Sequence, residues 1–156
     1  MKKENILNQI KLANNLHLDW VYKAKSLINE KSAQDIAPVS PNECLFGQWF
    51  YTQGQKLSGL SNNPLECMTN MAQLHKNLHD AYFNIFKVYA PDQSKKPLLS
   101  KIFGEKKRVV TDQEREFAQA ELQRLESLSK ELLEELARLE RRIVAVSDEK
   151  LEALGE

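Results

Sequence analysis

Three stretches of this chain carry apolar residues at intervals that alternate between four and three, and that alternation leaves little choice but a bundle of helices. Residues 4–31 set Ile6, Ile10, Ala13, His17, Trp20, Ala24 and Leu27 on one stripe. Residues 64–89 do the same with Met68, Met71, His75, Leu78/His79, Tyr82, Phe86 and Tyr89. Residues 111–146 repeat it with Ala118, Leu122, Leu125, Ser129, Leu132, Leu136, Leu139, Ile143 and Val146. An α-helix turns once per 3.6 residues, so each set lines a single face that has to be covered by a partner.

Start signals punctuate these segments. Ser40, Pro41 and Glu43 supply an N-cap, a proline at the first helical position and a returning acid, which predicts a short helix beginning "PNECLFGQWFY" and ending near Gly54. Asn63, Pro64 and Glu66 repeat the pattern, and Thr111 with Glu114 makes a third capping box. "SGLSNNP" reads as a loop. Residues 90–110, basic and carrying Pro91, Pro97 and Gly104, read as an irregular connection with one short helical turn at "LLSKIF". No strand-like alternation, internal repeat or Gly-rich phosphate loop interrupts this. The expected fold is all-α: a four-helix bundle of three long helices plus one short helix carrying a cysteine, with the last helix extended.

Charge excludes several partners. Lys plus Arg and Asp plus Glu stand at 22 each, so no net field draws the chain to nucleic acid or an anionic membrane. No run approaches the roughly 18 apolar residues of a membrane span. "MKKENILNQI" turns amphipathic too early for a signal peptide. The two cysteines, Cys44 and Cys67, make no disulfide framework and fit a reducing cytoplasm, where cysteine more often binds metal or reacts.

All three histidines fall on the apolar stripes. His75 and His79 lie one helical turn plus about 40° apart, so both rings can face one ion. H-x-x-x-H alone is a weak signal, and two histidines on a helix are commonly ordinary core or surface residues. His17 sharpens the choice. Three separately buried imidazoles need three partners, whereas one metal ion satisfies them all. A closed zinc site takes four nitrogen or sulfur ligands. Cys67 lies eight residues before His75, about 12 Å along the same helix at 1.5 Å per residue, too far to converge, and reads as a small packed hydrophobe. Cys44, expected in the first turn of the short helix, has the helix N-terminus to favour its thiolate. The candidate metal set is therefore His17, Cys44, His75 and His79, drawn from three helices. The competing reading keeps the histidines as polar groups tolerated in the core of a metal-free helical adaptor or coiled-coil scaffold.

"HLDW" at 17–20, "ECLFGQWFY" at 43–51 and "LHKNLHDAY" at 74–82, in that order, resemble the chemoreceptor zinc-binding (CZB) domain family. Its pattern runs His-x-x-Trp, Cys-x-x-Gly-x-Trp, His-x-x-x-His. The matching positions are His17 with Trp20, Cys44 with Gly47 and Trp49, and His75 with His79. "LESLSKELLEEL" is loosely similar to the helix that closes the family's bundle, while the basic connection departs from it. The resemblance implies a cytoplasmic Zn2+-binding bundle that forms a homodimer, a sensory domain rather than an enzyme. In the family such domains regulate chemotaxis signalling modules or diguanylate cyclases that make cyclic di-GMP. The sensed quantity is zinc availability, or oxidation of the metal-bound thiolate by oxidants such as hypochlorous acid. Trp20, Gly47 and Trp49 are expected to pack around the site, and Asp19 and Asp80 to point away from it.

The expected organisation is then a zinc-binding bundle core over 1–90, a basic connection over 91–110, a closing helix over 111–146 that extends toward a homodimer contact, and a polar tail over 147–156. Leu128 and Leu133 widen the stripe of the closing helix, which suits a bundle core better than a two-stranded seam. The basic connection is expected to be solvated, and no output module is recognised in this sequence, so a chemoreceptor- or cyclase-type signalling partner is expected to be separate or attached elsewhere. A catalytic di-iron bundle is disfavoured, since Asn14, Ala72 and Lys76 stand where a Glu-x-x-His pair would need an acid.

Overall fold

The structure is a computed structural model that describes residues 1–29, 40–62, 65–89 and 109–154. Its elements are α1 (Lys3–Ile28), α2 (Leu45–Phe50), a 3-10 helix (Gly54–Gly59), α3 (Leu65–Tyr89), α4 (Asp112–Ala145) and α5 (Asp148–Ala153). No strand occurs among the described residues. The fold is an all-α helical bundle.

Every stripe residue named for α1, from Ile6 to Leu27, is buried. On α4 the stripe is buried at Ala118, Leu125, Ser129, Leu132, Leu136, Leu139 and Ile143, with Leu122 and Leu128 half-buried against the same core. The Thr111–Glu114 capping box forms in both directions: Thr111 Oγ1 accepts the Glu114 N–H and Glu114 Oε2 accepts the Thr111 N–H. Burial of each Leu- or Phe-sized side chain supplies about 1.5–3 kcal/mol, so these stripes carry most of the driving force.

Cross-contacts give the directions. Lys25 pairs with Glu126 at 2.6 Å and Lys3 with Asp148 at 3.0 Å, so α1 runs antiparallel to α4. Asn62 Nδ2 donates to the Arg142 carbonyl and Asn84 Nδ2 to Glu121 Oε2, so α3 is antiparallel to α4 as well. His17 meets His75 and Trp20 meets His79 and Tyr82, which makes α1 and α3 parallel. The short α2 packs its Phe46 and Phe50 into the same core and completes the bundle.

Three differences from the sequence reading have local causes. Ser40 does not cap α2; Glu43 N–H donates to the Ser40 carbonyl at 3.1 Å, closing a turn that holds Pro41 at its second position. Proline's fixed φ serves that turn position as well as a helix start, so the residues signal both. The N-cap is Cys44. On α3, burial shifts from the expected Phe86 and Tyr89, both half-buried, to Ile85 and Val88, because α3 covers α4 along one side and α1 along another. The 147–156 tail is not featureless: α5 buries Leu151, whose carbonyl accepts the Met1 ammonium at 2.7 Å. The turn at "LLSKIF", the 91–108 part of the basic connection and the Asn63–Pro64 start signal lie outside the described residues.

Candidate metal centre

α1, α2 and α3 meet around His75. Its side chain is fully buried, as are those of His17 and His79 to within 2%. His75 Nε2 lies 3.2 Å from Cys44 Sγ and 3.0 Å from His79 Nε2. Ligand atoms of Cys44, His75 and His79 all fall within 4.8 Å of one another.

His17 adjoins this group edge-on, its ring centroid 5.4 Å from that of His75, without joining the mutual 4.8 Å set. Its Nδ1 is 2.6 Å from the Ala13 carbonyl. A carbonyl can only accept, so Nδ1 carries the proton and Nε2 keeps its lone pair. The structure thus brings three of the four expected donors together and sets the fourth in ring contact beside them.

The local sequence explains the placement of Cys44. As N-cap of α2 its Sγ accepts the Gly47 N–H at 3.1 Å, the role usually taken by a serine or aspartate oxygen. Gly47 is required by a close approach: a Cβ there would sit 1.8 Å from the Pro41 carbonyl oxygen and 3.2 Å from His75 Cε1. Trp20, buried, lays its ring 4.0 Å (centroid to centroid) from His79 and 5.0 Å from Tyr82. Trp49 is more remote and lies tilted against Phe46, 6.1 Å between ring centroids. Phe46 closes the centre in edge-to-face contact, its ring centroid 5.2 Å from that of His17 and 4.9 Å from that of His75.

Burial governs the protonation states. It lowers His17 to about 4, with the Ala13 hydrogen bond opposing and the nearby His79 adding to the fall. It lowers His75 to about 2, assisted by repulsion from His79 and His17. Both are neutral imidazoles, the form that ligates metal. Burial raises the Cys44 thiol above its ordinary value, and the amides of Gly47 and Phe46 oppose this without reversing it. The expectation that the α2 N-terminus depresses this thiol is therefore corrected: the loss of water outweighs the amides.

Cys44, His75 and His79 present sulfur and nitrogen donors of the kind that hold zinc. With Zn–N near 2.0–2.1 Å and Zn–S near 2.3 Å, neighbouring ligand atoms stand about 3.3 Å (N to N) and about 3.6 Å (N to S) apart. The observed 3.0 and 3.2 Å are a few tenths of an ångström shorter than those spacings and lie within hydrogen-bonding range.

Other expected positions fall where the reading put them. Cys67 is outside the cluster and faces α4, its Sγ 3.5 Å from Glu135 Oε2. Asp19 pairs with Lys23 at 2.9 Å and Asp80 with Lys76 at 2.7 Å, both on the outer faces of their helices. Tyr51, absent from the sequence-derived set, places its hydroxyl 3.1 Å from His75 Nδ1. Cys44, Gly47 and Tyr51 are spaced three and four apart, one face of a helix, and that spacing is the signal that could have found it.

A helical bundle with a buried His/Cys donor cluster between its helices has the form of an α-helical domain able to hold a metal ion. Residues 17–85 match the model of the chemoreceptor zinc-binding domain, a span that opens at His17 and takes in Cys44, His75 and His79. Over that span, under half of the chain, it is similar to the CZB family of zinc-binding domains. No curated protein and no solved structure matches the chain. Among the described residues no helix is long and apolar enough to cross a membrane.

Proposed function

We propose that this protein is a cytoplasmic zinc-responsive sensory domain, with His17, Cys44, His75 and His79 as the four ligands of one Zn2+. The observation that carries the reading is the convergence of Cys44 Sγ, His75 Nε2 and His79 Nε2, from two helices, in a pocket that holds His75 neutral. The pre-set Nε2 lone pair of His17, in the adjoining ring, supplies the fourth position.

A bound Zn2+ stabilises the thiolate form of Cys44 and cross-links the helices that bear the ligands. The chain's own residues do the rest. Phe46 and Trp20 exclude water from the imidazoles, and Cys44 couples the ion to the first turn of α2. Cys44 is also the readily oxidised member of the set, so either zinc loss or thiolate oxidation removes the same tether. α2 is six residues long, and freeing its N-cap is a local event able to bias a two-state element. On this reading the change is passed, through a homodimer, to a chemotaxis or diguanylate cyclase module. The reading assigns no catalysis to the chain.

Metal analysis of protein purified without a histidine tag tests it. About one equivalent of zinc per chain is expected. Less than about a tenth of an equivalent after mild purification would instead favour a metal-free helical adaptor whose histidines are core polar groups.

A further inference from the structure

His75 uses both ring nitrogens. Nε2 faces Cys44 Sγ and His79 Nε2, while Nδ1 faces the Tyr51 hydroxyl at 3.1 Å. A neutral imidazole has one N–H, so whatever occupies one nitrogen sets the role of the other. For His17 the Ala13 carbonyl decides the matter. For His75 the deciding partner is a phenol, which can donate or accept.

Tyr51 is well placed to decide it. It is the C-cap residue of α2, one helical turn past Gly47, and its backbone N–H donates to the Gly47 carbonyl at 2.9 Å. Its ring rests against Phe50 at 5.3 Å and His75 at 5.8 Å between centroids. The residue is 36% exposed while His75 is 0% exposed, so the phenol stands between solvent and the buried imidazole.

We infer that Tyr51 is a positioning residue of the metal centre: its phenolic oxygen accepts the His75 Nδ1–H, which leaves the Nε2 lone pair facing Cys44 and His79. This rests on the zinc-site reading only for its consequence, since the tautomer exists in the metal-free protein. It also makes α2 a two-ended clamp on His75, with Cys44 at its start reaching Nε2 and Tyr51 at its end reaching Nδ1. Partners on the far nitrogen of a ligating histidine fix its orientation and strengthen the ligand, and their removal typically costs 10–100-fold in metal affinity.

The test uses the full chain. In the metal-free protein at neutral pH, long-range 15N–1H spectra are expected to show His75 with a protonated Nδ1 and an unprotonated Nε2; the opposite tautomer overturns the inference. Tyr51→Phe keeps the ring and removes the oxygen. It is expected to populate the Nε2–H tautomer of His75 and to weaken zinc binding about 10–100-fold in competition with a chelator. Tyr22→Phe, at a residue 69% exposed, should change neither. An unaltered His75 tautomer together with zinc affinity within about twofold of the parent overturns the proposal. If the parent protein takes up no zinc, the zinc reading fails while the spectra still decide the role of Tyr51. If Tyr51→Phe does not fold, the parent spectra alone decide it.

Discussion

Cys44 Sγ lies 3.2 Å from His75 Nε2 while the same sulfur accepts the Gly47 N–H at 3.1 Å. One atom therefore both starts a helix and reaches across to another helix. Local structure and the metal-type cluster are coupled through it, and the two roles separate by substitution.

Cys44→Ser retains a cap acceptor and loses the thiolate. The metal-free variant is expected to melt within a few degrees of the parent, while zinc affinity falls by at least about 100-fold by chelator competition. Cys44→Ala loses both, with a further cost of about 1 kcal/mol in the metal-free protein. Zinc held as tightly by Cys44→Ser as by the parent would show that the thiol is not a ligand.

Gly47→Ala forces a methyl group to 1.8 Å from the Pro41 carbonyl oxygen. The backbone atom cannot swing aside as a side chain can, so the turn before α2 has to shift and carry Cys44 with it. A destabilisation of about 1–3 kcal/mol is expected by denaturant unfolding, together with loss of stoichiometric zinc.

His17→Ala and His79→Ala are each expected to abolish stoichiometric zinc and lower the melting temperature of the zinc-treated protein. Cys67→Ser should do neither, because Cys67 lies outside the donor cluster and faces Glu135. Zinc release by oxidant should likewise persist in Cys67→Ser; equal dependence on both cysteines would count against the ligand assignment. Zinc retained at full stoichiometry and affinity in His17→Ala would reduce the protein ligands to Cys44, His75 and His79.

The metal-free protein should lose stability as pH falls. His17 and His75 have folded pKa values of about 4 and about 2, against 6.5 for an ordinary imidazole. Between about pH 6.5 and pH 4 the unfolded chain binds the extra protons, so stability is complete above 6.5 and declines below it. Two such groups give a slope of up to about 2.7 kcal/mol per pH unit, enough to unfold a small domain within that window. Acid titration followed by circular dichroism checks this; a pH-independent unfolding free energy from 7 to 4 would contradict the buried, neutral histidines.

Much of this architecture was legible in the linear chain because helical burial is periodic. Ile6 through Leu27 on α1 and Ala118 through Ile143 on α4 follow from spacing alone, as does the Thr111 capping box, whose partners are three residues apart. The start of α2 is not legible locally because Pro41 suits a turn and a helix equally, and contacts to Cys44 and Gly47 make the choice. Burial of Leu151 has no sequence signal, since a lone leucine in a charged tail lacks periodicity and only the nearby α1 N-terminus gives it a surface to cover.

The sequence by itself determined that this protein is a helical bundle with its histidines on buried faces, and the order of its motifs pointed to the CZB family. Tertiary structure alone decided which donors converge, that His17 adjoins rather than joins the tight cluster, that burial overrides the helix N-terminus at Cys44, and that Tyr51 stands behind His75. The physical reason is one of range. Periodicity and capping act within a few residues, whereas the protonation and partners of a buried ring depend on side chains from other helices.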